Sequence, residues 1–330
     1  MTTGGPLLVP VYLVVPARAL LLDIAGPAEV LRKANLEQDR VRFAVRYVGP
    51  LPTVTSSIGI DLAGIAPLPA AIEPDAMVVI SGSTEILLET SAAEAAVPKG
   101  TGDAEIVAWL RAVVGPEHTL VSICSGALLA ARAGLFDGRA CTTHFSCTPE
   151  LAFLAPGATV HENRLYVEDG NRYSSAGITA GIDLMLHIVG QLAGPACAVA
   201  VARYLVVYLR RSGSDPQISP WLEGRNHIHP AIHRVQDQVS ADPAREWSLP
   251  SLADIAATSP RHLSRLFNAE TGMSIPDYVN RLRVALAAEL LAQTRLDLER
   301  VAERAGFNSA RQLRRAWSRV HAGPPSRARG

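Results

Sequence analysis

The last ninety residues state one apolar pattern twice. Leu249, Leu252 and Ala253 return as Leu298, Val301 and Ala302 at a constant offset of 49 residues. Each triad has helical spacing, each runs into turn chemistry, and each turn opens a second short helix. In the first unit a helix over 248–257 stops at Thr258-Ser259-Pro260, where Ser259 suits the N-cap and Pro260 the first helical position. The next helix buries Leu263, Leu266 and Phe267 and leaves Arg261, Ser264 and Arg265 outside. In the second unit Gly306-Phe307-Asn308-Ser309 makes the turn, and Ser309 with Gln312 reads as a capping box. Leu313, Ala316 and Trp317 then face inward, and Arg311, Arg314 and Arg315 outward. One Arg-rich helix is equally well a solvated face. Two at matching register constrain the region to paired helix–turn–helix units.

Between them Ser274 and Asp277 cap a long helix in which Tyr278, Leu282, Leu286 and Leu290 recur every four residues. From 277 to 293 it spans about 25 Å at 1.5 Å per residue. A spacer of that length can hold two recognition helices about 34 Å apart, one turn of DNA. Charge agrees. The formal net charge is zero, but residues 241–330 carry 14 Arg and no Lys against 9 acidic residues. The preceding 240 carry 17 cations against 22 acids. A basic tail on an acidic body implies an anionic partner for the tail.

Three hundred and thirty residues suggest more than one domain. The first two-thirds alternate strand with helix: apolar runs at 7–15, 43–48, 76–80 and 119–123, and helices at 23–35, 103–113, 127–133, 177–189 and 196–209. That alternation predicts a three-layer, flavodoxin-like α/β domain with a mainly parallel sheet, followed by an all-α domain. From 210 to 229 the pattern gives way to Ser, Gly, Pro and Arg. The expected division is 1–211 as a sensor domain, 212–230 as linker and 231–330 as a DNA-binding domain. No apolar run spans a bilayer, no signal peptide opens the chain, and four cysteines make no disulfide framework. A reducing cytoplasm is expected.

The strand at 119–123 runs directly into Cys124-Ser125-Gly126-Ala127, a tight turn before a helix. A cysteine there sits at a helix N-terminus, which favours thiolate; on these residues alone an inert buried cysteine is the plainer alternative. His227, His229 and His233 straddle a proline with no Cys or carboxylate to complete a metal set, so structural roles are expected and no metal.

Ser-Pro-Arg-His-Leu-Ser-Arg-Leu-Phe at 259–267, Glu-Thr-Gly-Met-Ser at 270–274, Tyr278, Arg281-Leu282-Arg283 and the Gly306-Phe307-Asn308-Ser309 turn resemble the AraC/XylS family of transcription regulators. The resemblance implies that Arg261, Ser264 and Arg265, and then Arg311, Arg314 and Arg315, face DNA bases or phosphates. Ala257 stands where the family often has a turn glycine. Ala328 replaces its usual tyrosine, which leaves the last helix less well anchored. In the first two-thirds, Asp23, Gly26-Pro27-Ala28-Glu29-Val30, Ser81-Gly82, Ile123-Cys124-Ser125-Gly126-Ala127, Thr142-Thr143-His144-Phe145 and Ser175-Ala176-Gly177 resemble the ThiJ/PfpI superfamily, whose fold is like that of class I glutamine amidotransferases. The two together match the GlxA-like group of regulators. This implies an elbow at Cys124, Asp23 beside its sulfur, and the amides of Gly82 and Ser125 as an anion hole; an ionised Asp23 would oppose a thiolate there, and a protonated one would donate a hydrogen bond to the sulfur. His144 follows Cys124 by twenty residues instead of directly, so it reads as a packed or hydrogen-bonded histidine before a base. The implied function is a DNA-binding regulator, read as an activator. A small, nitrogen-containing effector would bind at Asp23, Gly82, Cys124, Ser125 and His144. Its expected partners are double-stranded operator DNA, a second copy of the chain and RNA polymerase, with no cofactor. The alternative is a Cys-dependent hydrolase or hydratase fused to a DNA-binding domain.

Overall fold

The computed structural model describes residues 5–84, 101–207, 211, 213, 217, 224–225, 227–321 and 323–328. It divides into two compact units, Met1–Gln217 and Ile218–Gly330.

The first unit begins with β1 (Leu7–Val14), an aliphatic strand buried from Val9 onward. After it come α1 (Leu21–Glu37), β2 (Val41–Gly49), the short strands β3 (Thr53–Thr55), β4 (Asp61–Ala63) and β5 (Ala66–Pro67), and then β6 (Met77–Ile80). The chain continues through α2 (Asp103–Val113), β7 (Thr119–Ile123), α3 (Gly126–Arg132), β8 (Ala140–Cys141), α4 (Thr148–Leu154) and β9 (Thr159–Val160). It closes with β10 (Tyr166–Asp169), β11 (Arg172–Ser175), α5 (Thr179–Leu192) and α6 (Pro195–Tyr204). The main sheet has the order β10-β11-β7-β6-β1-β2-β5, parallel except for the β10–β11 hairpin. Period-two alternation splits its side chains between two cores. Val11, Leu13, Val79, Val121 and Ile123 pack with α1, α5 and α6. Tyr12, Val14, Val78, Ile80 and Leu120 pack with α2, α3 and α4. This is the expected three-layer arrangement. The last helix is shorter than its apolar run: α6 ends at Tyr204, and Val206 turns to a φ of 56°.

The carboxyl ends of β1, β6, β7 and β11 meet at one edge of the sheet, the usual ligand-binding edge of an open α/β fold. Ser81 N–H donates to Val14 O (3.3 Å), Leu20 N–H to Gly82 O (3.0 Å) and Cys124 N–H to Ser175 O (3.0 Å). Three sequence-distant loops are thereby held side by side.

The second unit contains α7 (Pro230–Ala241), α8 (Leu249–Ala256), α9 (Pro260–Thr271), α10 (Ile275–Gln293), α11 (Leu298–Arg304) and α12 (Ala310–Trp317). It has two small cores, and α10 serves both. Tyr278, Val279 and Leu282 join α7, α8 and α9, while Val284, Ala287 and Leu291 join α11 and α12. The buried stripe therefore shifts midway, and Leu286 and Leu290 of the expected stripe are only partly buried. Ser259, Ser274 and Ser309 each cap their helix, accepting from His262 N–H, Asp277 N–H and Gln312 N–H. The capping box expected at Ser309 is incomplete, because Gln312 Oε1 takes the N–H of Asn308 (3.1 Å). Ala257 holds the left-handed turn position at φ 53°, where the second unit has Gly306 at φ 82°. The expected weak tail is also corrected. A 3-10 turn over Pro325–Ala328 lets Ala328 pack on the second core, and Trp317 Nε1 donates to Gly323 O (2.8 Å).

Candidate functional site

Cys124 leaves β7 at φ 55°, a left-handed conformation that few side-chain-bearing residues adopt. Its carbonyl accepts from Thr143 Oγ1 at 2.8 Å. Glycines clear the space around it: a Cβ on Gly177 would overlap the Cys124 side chain and stand 2.8 Å from its sulfur. One on Gly82 would strike Asp23 Oδ2 and lie 2.8 Å from Cys124 Cβ.

Asp23 is fully buried on α1. Its Oδ1 accepts from Ile178 N–H (2.6 Å), its Oδ2 from Gly82 N–H (3.2 Å), and the Cys124 thiol also donates to it. Burial raises its pKa to about 6 against these three donors. Burial also pushes the Cys124 thiol far above its ordinary range, and the Asp23 charge pushes it further. The expected thiolate is therefore overturned. The N–H of Ser125 and the dipole of a seven-residue helix are outweighed by desolvation and a neighbouring carboxylate.

The structure brings Asp23, Gly82, Cys124 and Ser125 together, but the two amides expected to form an anion hole are engaged internally. Gly82 N–H serves Asp23, and Ser125 N–H serves the sulfur. Ser125 Oγ binds Ser83 through both its N–H (2.9 Å) and its carbonyl (3.1 Å). His144 is half-buried, pairs through Nδ1 with Ser146 Oγ (2.7 Å) and lies against Phe145, its ring centroids 4.3 Å apart. Desolvation lowers its pKa. Thr143, not His144, is the residue of this loop that bonds the elbow. Cys147 was missed by sequence reasoning, yet it lies close enough that its charge raises the Cys124 pKa.

The Asp23 shift has a stability consequence. Its folded pKa of about 6 lies above the unfolded value of about 3.9. The folded state thus keeps a proton that the unfolded chain releases. This contribution is fully present below about pH 4 and is lost as pH rises through about 6. The expected result is a stability difference between wild type and Asp23→Asn that falls by on the order of 2–3 kcal/mol from pH 4 to pH 7. Urea unfolding at both pH values checks it; a difference independent of pH contradicts it.

In the second unit α9 and α12 present the same exposure pattern at an offset of 50 residues. Arg261, Ser264 and Arg265 are exposed around buried Leu263 and Phe267, as are Arg311, Arg314 and Arg315 around buried Leu313 and Trp317. The five arginines make no ion pair among the described residues. His262 and Gln312 share these exposed faces and were not singled out from the sequence. A groove beside α12 is lined by Asn280, Arg283, Gln312, Arg315 and Arg319.

The parallel sheet with a strained elbow and the twin cationic helices define a two-part protein. Residues 10–191 match the DJ-1/PfpI family profile and residues 252–330 match a helix-turn-helix domain profile. The first match takes in more than half of the chain, which belongs to the DJ-1/PfpI family and carries an AraC-type helix–turn–helix region at its C-terminal end. The HTH-type transcriptional regulator GlxA of Rhizobium meliloti is 28% identical over 312 residues, 94% of this chain and 92% of that protein. The HTH-type transcriptional regulator GbdR of Pseudomonas aeruginosa is 29% identical over 221 residues, 67% of this chain; the match spans only 60% of GbdR. Isonitrile hydratase of Pseudomonas putida is 31% identical over 179 residues, 52% of this chain and 67% of the enzyme.

Proposed function

We propose that the protein is a sequence-specific DNA-binding transcription regulator whose DJ-1/PfpI domain senses a small polar metabolite at the Asp23–Cys124 elbow. The observation that carries this reading is the repeated arginine face. Two helices present the same exposed cations at the same register, each around its own small buried core. The AraC-type region and the likeness to GlxA over most of both chains support it. Arg261, Ser264 and Arg265 read one major-groove segment in this proposal, and Arg311, Arg314 and Arg315 the next. The regulator acts as a dimer in the cytoplasm, recruits RNA polymerase, and takes a nitrogen-containing effector. No helix among the described residues is long and apolar enough to cross a membrane.

The likeness to isonitrile hydratase favours a second reading, a Cys-dependent enzyme. The elbow speaks against turnover: its sulfur is held as a thiol, and His144 is bonded to Ser146. Selection of random duplexes by the full chain tests the proposal. A shared enriched sequence is expected, and a pool that stays random contradicts it.

A further inference from the structure

Two hydrogen-bonded routes leave the elbow, and both end on the last residues of the first unit. On the first, the Cys124 carbonyl accepts from Thr143 Oγ1 (2.8 Å), and the Thr143 carbonyl accepts from Gln217 Nε2 (2.8 Å). Gln217 Nε2 also donates to Arg164 O (3.0 Å), and its backbone N–H to Asn163 Oδ1 (2.9 Å). On the second, Asp23 Oδ1 accepts from Ile178 N–H (2.6 Å). Ile178 is the N-cap of α5 at φ 52°, ψ −115°. The first turn of α5 then grips Arg211: its Nη2 donates to Thr179 Oγ1 (2.8 Å), and its Nε and Nη2 to Asp183 Oδ2 (3.0 and 2.5 Å).

Neither anchor is incidental. The Asp183 side chain is only 4% exposed, and Arg211 is its ion-pair partner; a buried carboxylate stripped of its cation is strongly disfavoured. Gln217 is held through its donors, while its Oε1 is buried without a partner. A half-satisfied buried amide contributes less than a fully bonded one, so this anchor is well formed yet releasable. Gln217 is also the last residue of its unit, and the chain passes at Ile218 into the unit that carries the arginine faces.

We propose that Arg211 and Gln217 form a latch that couples the state of the Cys124–Asp23 elbow to how firmly the end of the sensor unit is held. The biological sense of this inference rests on the regulator reading above. A β-branched residue at positive φ is strained, and the bond to Asp23 is what retains Ile178 in that conformation. A polar metabolite that takes Asp23 as its own partner frees Ile178 and with it the first turn of α5. One that displaces Thr143 from the Cys124 carbonyl shifts the carbonyl on which Gln217 hangs. Either event loosens the hold on Arg211 or Gln217, and the two routes make the response cooperative.

The test uses the full chain without DNA or metabolite, with substitutions in place of the effector. Backbone hydrogen exchange is followed in peptides covering 211–217. Thr143→Val perturbs the elbow side of the first route and Gln217→Ala the latch side. Each is expected to speed exchange about tenfold, within the 5–150-fold range of typical site-to-site coupling. The double variant is expected to stay within about twofold of the faster single, because both remove one route. Asp23→Ala with Arg211→Met forms the same cycle on the second route and stands in if Thr143→Val does not fold. Unchanged exchange in a folded Thr143→Val or Asp23→Ala protein overturns the latch, as does a double variant whose acceleration is the product of the singles. DNA affinity is measured separately on the same proteins. Coupled exchange in a chain that binds no DNA supports the latch and refutes the regulator reading.

Discussion

Arg265→Ala and Arg315→Ala are each expected to weaken binding of the full chain to its operator by about 1–3 kcal/mol, roughly 5- to 150-fold. Both side chains lie exposed on a second helix of a helix–turn–helix unit, one on α9 and one on α12. They stand on separate small cores, so no packing contact links the two changes. The double variant should therefore lose the sum of the two effects. Neither arginine supports the fold, so thermal stability should not change. Gel-shift titration at fixed salt is the measurement, because phosphate contacts make any affinity salt-dependent. If only one substitution weakens binding, a single unit docks. If neither does, the arginine faces are solvated surface.

The second large effect is expected at Gly177. Here two costs coincide. The residue sits at φ +87°, and an added Cβ would overlap the Cys124 side chain and come within 2.8 Å of both its Cα and its sulfur. Cys124 cannot yield readily, since its amide is bonded to Ser175 and its carbonyl to Thr143. Left-handed strain costs about 1–2 kcal/mol and overpacking about 1–3, so Gly177→Ala should destabilise the first unit by about 2–5 kcal/mol. Gly194 provides the control. It has a φ of +94° and no atom within 4 Å of an added Cβ, so Gly194→Ala should show the strain alone. Urea unfolding of the two variants separates the terms; equal losses would mean that the close approach at the elbow is unimportant.

Much of the fold was legible because buried parallel strands are unbroken aliphatic runs. The apolar runs at 7–15, 76–80 and 119–123 each coincide with a central strand, the first of them buried from Val9 onward. The edges were not legible. Tyr-Val-Glu-Asp at Tyr166–Asp169 is mixed in character and only four residues long, so nothing local distinguishes it from a loop. The helix–turn–helix pair was readable because its signal is a repeat, which tolerates error in any one residue. The structure refines it: the turn after Gly306 is one residue longer than that after Ala257, which changes the offset from 49 to 50.

The elbow was located by its strand–turn–helix pattern, but its chemistry was not. Whether Cys124 is thiol or thiolate depends on how deeply β7 is covered and on which carboxylate α1 brings to the sulfur. A dipole argument made from the helix alone gives the opposite sign. Arg211 and Gln217 were hidden for a related reason. They lie in a stretch whose composition reads as linker, and their partners are two side chains on α5, the Asn163 side chain and two loop carbonyls, all far away in the chain. Hydrogen bonds to backbone carbonyls leave no trace in side-chain pattern.

The central claim is that both recognition helices engage one duplex, spaced by α10. A hydroxyl-radical footprint of the full chain on its selected operator tests this most directly. The account predicts two protected segments on the same face, with centres about 10 base pairs apart, one lost in Arg265→Ala and the other in Arg315→Ala. A single protected segment that both substitutions affect equally would contradict it.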